Sequence, residues 1–230
     1  MILALDSSAK AASCALWEDG VLRGETFLNT GLTHSQTLMS AVEALLEQTR
    51  ISLSAVDRLA VSAGPGSFTG LRIGIAAVKG LAMGLEKPCV GVSTLKGLAF
   101  NLEGFEGIVV PVMDARRQQV YTALFESGGG GMIRLCEDAA LSIEELSQRL
   151  AAYADQSIWL VGDGAALCYG ELSGENLRLA PEHLRHQRAA SVARAAVEEP
   201  SVPAGELLPV YLRLPQAQRE YLEKLKGESV

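Results

Sequence analysis

The apolar and polar positions of the chain follow an order of short strands and helices that occurs twice. Each pass reads as three strands, a helix, a strand and a helix, with helices recognised by apolar residues at i, i+4 and i+7. The first pass starts at Met1 and the second at Ile108, and the first strand of each ends at an aspartate, Asp6 or Asp114. The pattern predicts an internal duplication.

The duplication predicts an α/β protein of two lobes, each a mixed sheet with helices, which resembles the plan of the actin, Hsp70 and sugar-kinase (ASKHA) superfamily. Gly104 and Gly107 mark the boundary, so the predicted domains are residues 1–105 and 106–230. Beyond four prolines near the end, residues 216–226 form an amphipathic, charge-rich tail. Whether the chain is ordered from about residue 215 stays open.

The stretch from Ala63 to Leu85 organises the first half of the chain. It begins with turn and N-cap residues and continues as a helix in which only Arg72 and Lys79 are charged. A helix that is apolar on every side is normally buried on every side. Each glycine in this helix lowers helix stability by about 1 kcal/mol relative to alanine. Glycines are expected there if another backbone comes close to the helix. We therefore expect one side to face the chain's own sheet and the other to face a partner protein.

Composition and charge narrow the function. With 27 acidic and 20 basic residues, and a net charge of -7, the chain lacks the basic excess of domains that grip nucleic acid alone. The four cysteines are scattered without metal-ligand spacing, which favours buried, reduced thiols. No signal peptide is recognised, and no apolar run is expected to span a bilayer. These features predict a cytoplasmic protein.

Three polar turns are candidates for binding a cofactor: the turns that begin at Asp6 and at Asp114, and the turn that contains Gly162 and Gly164. In the superfamily that the chain resembles, such turns hold phosphates, hydrated Mg²⁺ and adenosine. The first turn lacks the usual glycine, and Arg116 and Arg117 stand in the second where small residues are usual, so the resemblance implies a vestigial nucleotide cleft. Each turn alone also reads as a tight polar connection. The candidate cofactor-binding residues are Asp6, Ser7, Ser8, Asp114, Gly162 and Gly164.

No catalytic set is recognised in the sequence. His34 has no second ligand one helical turn away and is expected to cap the helix or to hydrogen-bond locally. Ser67 lies outside the spacing of a nucleophile elbow, which argues against a peptidase. The alternative that stays open is an active ATPase or small-molecule kinase of the ASKHA type that uses Asp6 and Asp114.

Several segments resemble the TsaB (YeaZ) family, and the GPG-containing block is the most distinctive. The resemblance covers most of the chain and is densest over residues 1–125. The segments are LALDSSAKAASCAL, the helix start His34-Ser35-Gln36, AGPGSFTGLRIGIAAVKGLA, VPVMDARRQQVYTALF and Tyr211-Leu212-Arg213.

The resemblance implies a role in placing a threonylcarbamoyl group on the adenosine next to the anticodon, in tRNAs that read codons starting with A. It implies a non-catalytic subunit that binds and activates the catalytic paralogue TsaD and works with the ATPase TsaE and, functionally, with TsaC. It implies that tRNA is met only through the complex. No cofactor is expected for the chain by itself, and ATP or ADP at the complex interface is left open. The paralogue's His-x-x-x-His metal pair corresponds to Thr94 and Leu98 here, so no metal is expected.

The same resemblance leads to a predicted contact face on the first two helices. A homodimer through this face is expected when TsaD is absent. Replacing Gly74 with arginine is expected to abolish the complex while leaving the fold intact. The predicted contact residues are Leu38, Met39, Val42, Leu45, Leu46, Gly70, Gly74, Ala77, Val78 and Leu81.

Overall fold

The computed structural model describes residues 1–213, and the predicted tail lies outside the described residues. This part of the chain forms two sheets with helices on their faces. The strands are β1 (Ile2–Asp6), β2 (Ala12–Glu18), β3 (Val21–Leu28), β4 (Arg58–Gly64), β5 (Cys89–Ser93), β6 (Gly107–Asp114), β7 (Gln119–Thr122), β8 (Phe125–Gly128), β9 (Gly131–Arg134), β10 (Ala139–Ser142), β11 (Ile158–Val161) and β12 (Leu177–Leu179). The helices are α1 (His34–Thr49), α2 (Phe68–Leu85), α3 (Thr94–Phe100), α4 (Ile143–Leu150), α5 (Ala165–Glu171) and α6 (Ala189–Ala196).

The sheets confirm the predicted α/β architecture, two mixed sheets with helices. The first has the strand order β3-β2-β1-β4-β5, in which β1 pairs antiparallel with β2 and parallel with β4. The second has the order β10-β7-β6-β11-β12, in which β8 pairs with the start of β6 and β9 pairs with β8. In both halves the first strand lies at the centre of its sheet, so the aspartate at its end lies where the two sheets approach.

The helices form three layers around the two sheets. Strand β1 shows how this arises, because Leu3 and Leu5 pack under α1 and α2 while Ile2 and Ala4 pack under α6 on the opposite face. On the second sheet, α4 and α5 cover one face and α3 covers the other. Helices α3 and α6 therefore lie side by side between the sheets.

In this middle layer, each half of the chain contributes a helix that packs on the sheet of the other half. Helix α3 belongs to the first half but packs on the second sheet, and α6 belongs to the second half but packs on the first. Ion pairs join each helix to the residues that follow the other: Lys96 Nζ lies 2.7 Å from Glu199 Oε1, and Arg194 Nη2 lies 2.6 Å from Glu103 Oε1. The predicted domain boundary near residue 105 stays a prediction.

Helix α2 is long and apolar enough to cross a membrane, judged by length and composition alone. The expectation that no apolar run spans a bilayer stays a prediction, because length and composition alone do not make Phe68–Leu85 a span. A third of this helix is buried against the first sheet, as in a core helix of a folded domain. The predicted cytoplasmic location stays a prediction.

Helix α4 begins with a capping box formed by Ser142 and Glu145. The Glu145 backbone N–H donates to Ser142 Oγ (3.1 Å), and the Ser142 backbone N–H donates to Glu145 Oε2 (2.7 Å). This second hydrogen bond lowers the pKa of Glu145. The box satisfies two N–H groups that the helix leaves without partners.

Replacing Ser142 with alanine is expected to lower the free energy of unfolding by about 1 kcal/mol, because the cap is lost. Urea denaturation at neutral pH measures the change. Ser147→Ala, at an exposed position in the middle of the same helix, is the matched control and is expected to change stability by a few tenths of a kcal/mol. Equal stability of Ser142→Ala and wild type would contradict the role of the box.

Candidate functional site

The first polar turn is a closed hydrogen-bonded unit around Asp6. One carboxylate oxygen of Asp6 accepts hydrogen bonds from the backbone N–H and the hydroxyl of Ser8, both at 2.8 Å. The other accepts a hydrogen bond from the Ser62 hydroxyl on β4. Asp6 is 1 % exposed, and burial raises the pKa of its carboxyl although these three donors lower it. Asp6 thus ties β1 to β4 from inside the core.

The start of α2 packs against the same turn and is joined to it by two hydrogen bonds. The Ser67 backbone N–H donates to the Ser8 carbonyl (2.7 Å), and the Ser7 hydroxyl donates to the Gly70 carbonyl (2.9 Å). A Cβ atom on Gly70 would overlap the Ser7 carbonyl oxygen, and one on Gly74 would lie 2.5 Å from Ser7 Oγ. These two glycines are therefore explained by the close approach of α2 to the chain's own first turn. Of the three residues predicted to bind a cofactor here, only Ser8 lines the cleft.

A cleft of about 540 Å³ opens between the two sheets, over the ends of β1 and β6. Lys10, Arg116 and Arg213 bring positive charge to it from three different segments, and Asp114 and Asp163 bring negative charge. Such a volume suits a small ligand. The lining residues are Ser8, Ala9, Lys10, residues 65–69, residues 113–116, Tyr121, Asp163 and residues 211–213.

The second polar turn, at the end of β6, is open to solvent. Asp114 is exposed, and its Oδ1 accepts a hydrogen bond from the Arg116 backbone N–H (2.7 Å). The structure therefore brings Asp114 to the cleft and keeps Asp6 out of it. The two aspartates that look equivalent in the sequence differ in what they contact.

The glycine turn after β11 positions Asp163 beside the second turn. Gly162 has a φ of 115°, which a side chain would strain, and the Gly164 backbone N–H donates to the Val112 carbonyl (3.0 Å). Both glycines thus serve the packing of this turn on β6. Burial and the neighbouring charge of Asp114 raise the pKa of Asp163, whose Oδ1 is buried without a hydrogen-bond partner among the described residues.

His34 has the local role expected from the sequence. Its Nε2 atom lies 2.7 Å from the Ala9 carbonyl oxygen, which fixes the start of α1 against the β1–β2 turn. Within residues 1–213, no group of three or more His, Cys, Asp or Glu side chains is arranged to hold a metal ion.

The predicted contact residues on α1 and α2 divide into two groups. Four are exposed or half-buried and remain candidates: Met39, Leu46, Ala77 and Leu81. The other six are buried in the chain's own core and cannot form a contact surface in this fold, so their assignment is corrected: Leu38, Val42, Leu45, Gly70, Gly74 and Val78.

The Gly74→Arg prediction fails for the same reason. Its side chain would meet Ser7 and lie 3.2 Å from Val61 Cγ2 already at the Cβ atom, so the substitution would disturb the fold itself. It therefore cannot separate partner binding from folding.

The opposite side of α2 carries an apolar surface that the chain leaves uncovered. Met83 is 71 % exposed, and Gly80 and Gly84 have open space where a Cβ atom would lie. We call this surface the outer stripe, and it consists of the exposed Ala76, Gly80, Met83 and Gly84 with the half-buried Ile73 and Ala77 at its edge against the core. Small residues at helical spacing are its signal in the sequence.

A C-terminal segment, residues 207–213, was not predicted, and its last three residues line the cleft. We call it the strap. The Val210 backbone N–H donates to the Ala63 carbonyl (2.7 Å), and Lys79 Nζ donates to the Leu207 carbonyl (3.2 Å), so the strap runs along α2. Tyr211-Leu212-Arg213 is one of the segments that resemble the TsaB (YeaZ) family, but the sequence did not indicate where these residues lie in the fold.

Comparison with known proteins places the chain among tRNA-modification proteins. Residues 29–202 match the family described as TsaD, tRNA N6-adenosine threonylcarbamoyltransferase. The tRNA threonylcarbamoyladenosine biosynthesis protein TsaB of Escherichia coli (strain K12) is 36 % identical over 71 % of each chain. The protein of that name from Haemophilus influenzae is 30 % identical over 92 % of this chain and 93 % of its own. The solved structure of YeaZ from Pseudomonas aeruginosa is 32 % identical, with a TM-score of 0.78 over 92 % of this chain and 99 % of that one.

Proposed function

The chain belongs to the TsaB (YeaZ) family, proteins of tRNA threonylcarbamoyladenosine (t6A) biosynthesis, and from this premise we propose that it is a non-catalytic subunit that binds and activates the catalytic paralogue TsaD. The outer stripe of α2 is the proposed docking surface. Met39 and the half-buried Leu46, on the neighbouring helix α1, are further proposed contacts.

The observation that carries this proposal is the uncovered flank of α2. The helix carries only two charged residues, Arg72 and Lys79, yet only a third of its residues are buried by the rest of the fold. Contiguous apolar surface of this kind marks an interaction site. Glycine and alanine on the outer stripe allow another helix to approach closely.

The nature of the partner follows from the family. TsaD is proposed because the profile of its family matches most of this chain, so the two proteins share a fold and can present equivalent helices to each other. The same geometry allows two copies of this chain to pair when TsaD is absent. TsaE and TsaC act with the complex, and the net charge of -7 supports contact with tRNA through the complex alone.

An active ATPase or kinase that uses Asp6 and Asp114 is the second candidate, and the polar cleft is the observation in its favour. The Asp6 carboxyl argues against it, because it is enclosed by Ser8 and Ser62 and does not line the cleft. Under our proposal, ATP or ADP would bind, if at all, only in the assembled complex.

Reconstitution tests the proposal directly. We expect purified TsaD, TsaE and TsaC to form t6A on tRNA at least about 100-fold faster with this chain than without it, and the chain alone to hydrolyse no ATP with Mg²⁺. Nucleoside analysis of the tRNA and phosphate release are the measurements. ATP turnover by the chain alone that Asp114→Ala abolishes would favour the enzyme instead.

A further inference from the structure

The strap connects the docking helix to the cleft through two sets of contacts. At the α2 end, Arg72 Nε donates to the Tyr211 hydroxyl (3.2 Å), and the rings of Phe68 and Tyr211 lie 5.0 Å apart. The Arg72 guanidinium also lies 3.8 Å from the centre of the Phe68 ring. Two residues further on, Arg213 Nη1 donates to the Ala115 carbonyl (2.6 Å). A short run of chain thus touches the start of α2 and the turn after β6.

That turn has an unusual backbone. Arg116, Arg117 and Gln118 have φ values of 62°, 55° and 55°, so three consecutive residues other than glycine adopt the left-handed region. L-residues enter this region as single residues far more often than as a run, because the side chain crowds the following carbonyl. The run persists where surrounding contacts impose it, and the hydrogen bond from Arg213 to Ala115 is such a contact.

The contacts at the α2 end lie beside the proposed docking surface. Arg72 is exposed on the same side of α2 as Ala76 and Met83, one and three turns further along the helix. A partner seated on the outer stripe would therefore meet Arg72, and with it the ring of Tyr211. The contacts form a continuous path from the docking surface through Arg72, Tyr211 and Arg213 to the turn that brings Arg116 to the cleft.

We propose that Arg213 is a positioning residue that links docking on α2 to the conformation of the turn at 115–118. In one state the strap is held by Arg72 and Phe68, and Arg213 fixes Ala115 so that Arg116 lines the cleft. In the other state the Arg213 bond is broken and the left-handed run relaxes. A partner that stabilises the contacts of Arg72 and Tyr211 favours the first state. The inference rests on the proposed docking function.

Hydrogen exchange of the turn tests the link. The backbone N–H groups of Ala115, Arg116 and Gln119 are each hydrogen-bonded within the turn, so their exchange reports its conformation. We expect saturating TsaD to slow exchange of a peptide covering residues 114–120 about tenfold in the wild type, and less than about twofold in Arg213→Gln. Because coupling is reciprocal, the affinity of Arg213→Gln for TsaD is expected to fall about tenfold.

Two further variants keep the test decisive. Arg178→Gln is the matched control, because Arg178 also donates to backbone carbonyls but lies on β12, and it is expected to behave as wild type. Tyr211→Phe removes only the hydroxyl that accepts from Arg72, and it is expected to reduce the exchange response without changing the melting temperature.

The outcomes separate the link from the docking proposal. Undiminished protection of the turn in Arg213→Gln, or no protection in the wild type despite a stable complex, would overturn the link and leave docking intact. Failure of the wild type to bind TsaD in the same titration would overturn both.

Discussion

Replacing Gly80 with arginine is expected to abolish binding to TsaD and t6A formation while the chain keeps its fold. Gly80 lies at the centre of the outer stripe, and its missing Cβ faces open space, so the isolated chain can accommodate the new side chain. In a helix–helix contact the same side chain would hold the partner's backbone away and bury a charge. A central position of this kind typically costs about 2 kcal/mol or more, so we expect the affinity to fall at least about 30-fold.

The measurements are a binding titration with TsaD and the melting temperature of the variant. Gly170→Arg is the matched control, because it places arginine at another exposed helical glycine with open space, on α5 of the other half. Gly80→Ala is expected to stabilise the free chain by up to about 1 kcal/mol through helix propensity. Wild-type affinity of Gly80→Arg would show that the outer stripe is not the docking surface.

Replacing Asp6 with alanine is expected to lower the free energy of unfolding by about 3 kcal/mol or more. The substitution leaves the Ser8 N–H and the hydroxyls of Ser8 and Ser62 without their acceptor inside the core. Each buried donor left unpaired costs about 1 to 3 kcal/mol. Urea denaturation measures the loss. Asp114→Ala is the control, and it is expected to cost less than about 1 kcal/mol because Asp114 is exposed.

The pH dependence of the Asp6→Asn variant separates charge from hydrogen bonding. Burial raises the pKa of Asp6 above its ordinary value of 3.8, so the native state holds this proton more tightly than the unfolded chain does. The stability that protonated Asp6 contributes is full below the ordinary pKa of 3.8, and it is lost as the pH rises through the raised pKa of the native state. We therefore expect wild type to lose stability relative to Asp6→Asn as the pH rises through the acid range. The opposite trend would contradict a raised pKa.

The sequence predicted which elements form, because periodicity reports burial against a neighbour. It could not give the rotation of α2 about its axis, since a helix with apolar residues on all sides has no polar face to mark the outside. Gly70 and Gly74 were therefore assigned to the partner, although they face Ser7, while Gly80 and Gly84 are open. The spacing of glycines in a helix indicates that another backbone comes close, but it does not indicate whether that backbone belongs to the same chain or to a partner.

Short edge elements and long-range contacts were also beyond sequence patterns. Strands β10 and β12 have four and three residues, too few for alternation to be recognised. The segment from Gln119 to Gly128 forms two strands, because β7 pairs with the end of β6 and β8 with its start. The two aspartates ended equivalent strands in the sequence, but the position of Ser62, 56 residues away, decides that Asp6 is structural.

The middle layer of α3 and α6 has a mechanical consequence. Rotating one half of the molecule against the other would drag each helix off the sheet contributed by the opposite half and would break the pairs of Lys96 with Glu199 and Arg194 with Glu103. The packing of each helix on the opposite sheet therefore resists rotation of one half against the other across the cleft.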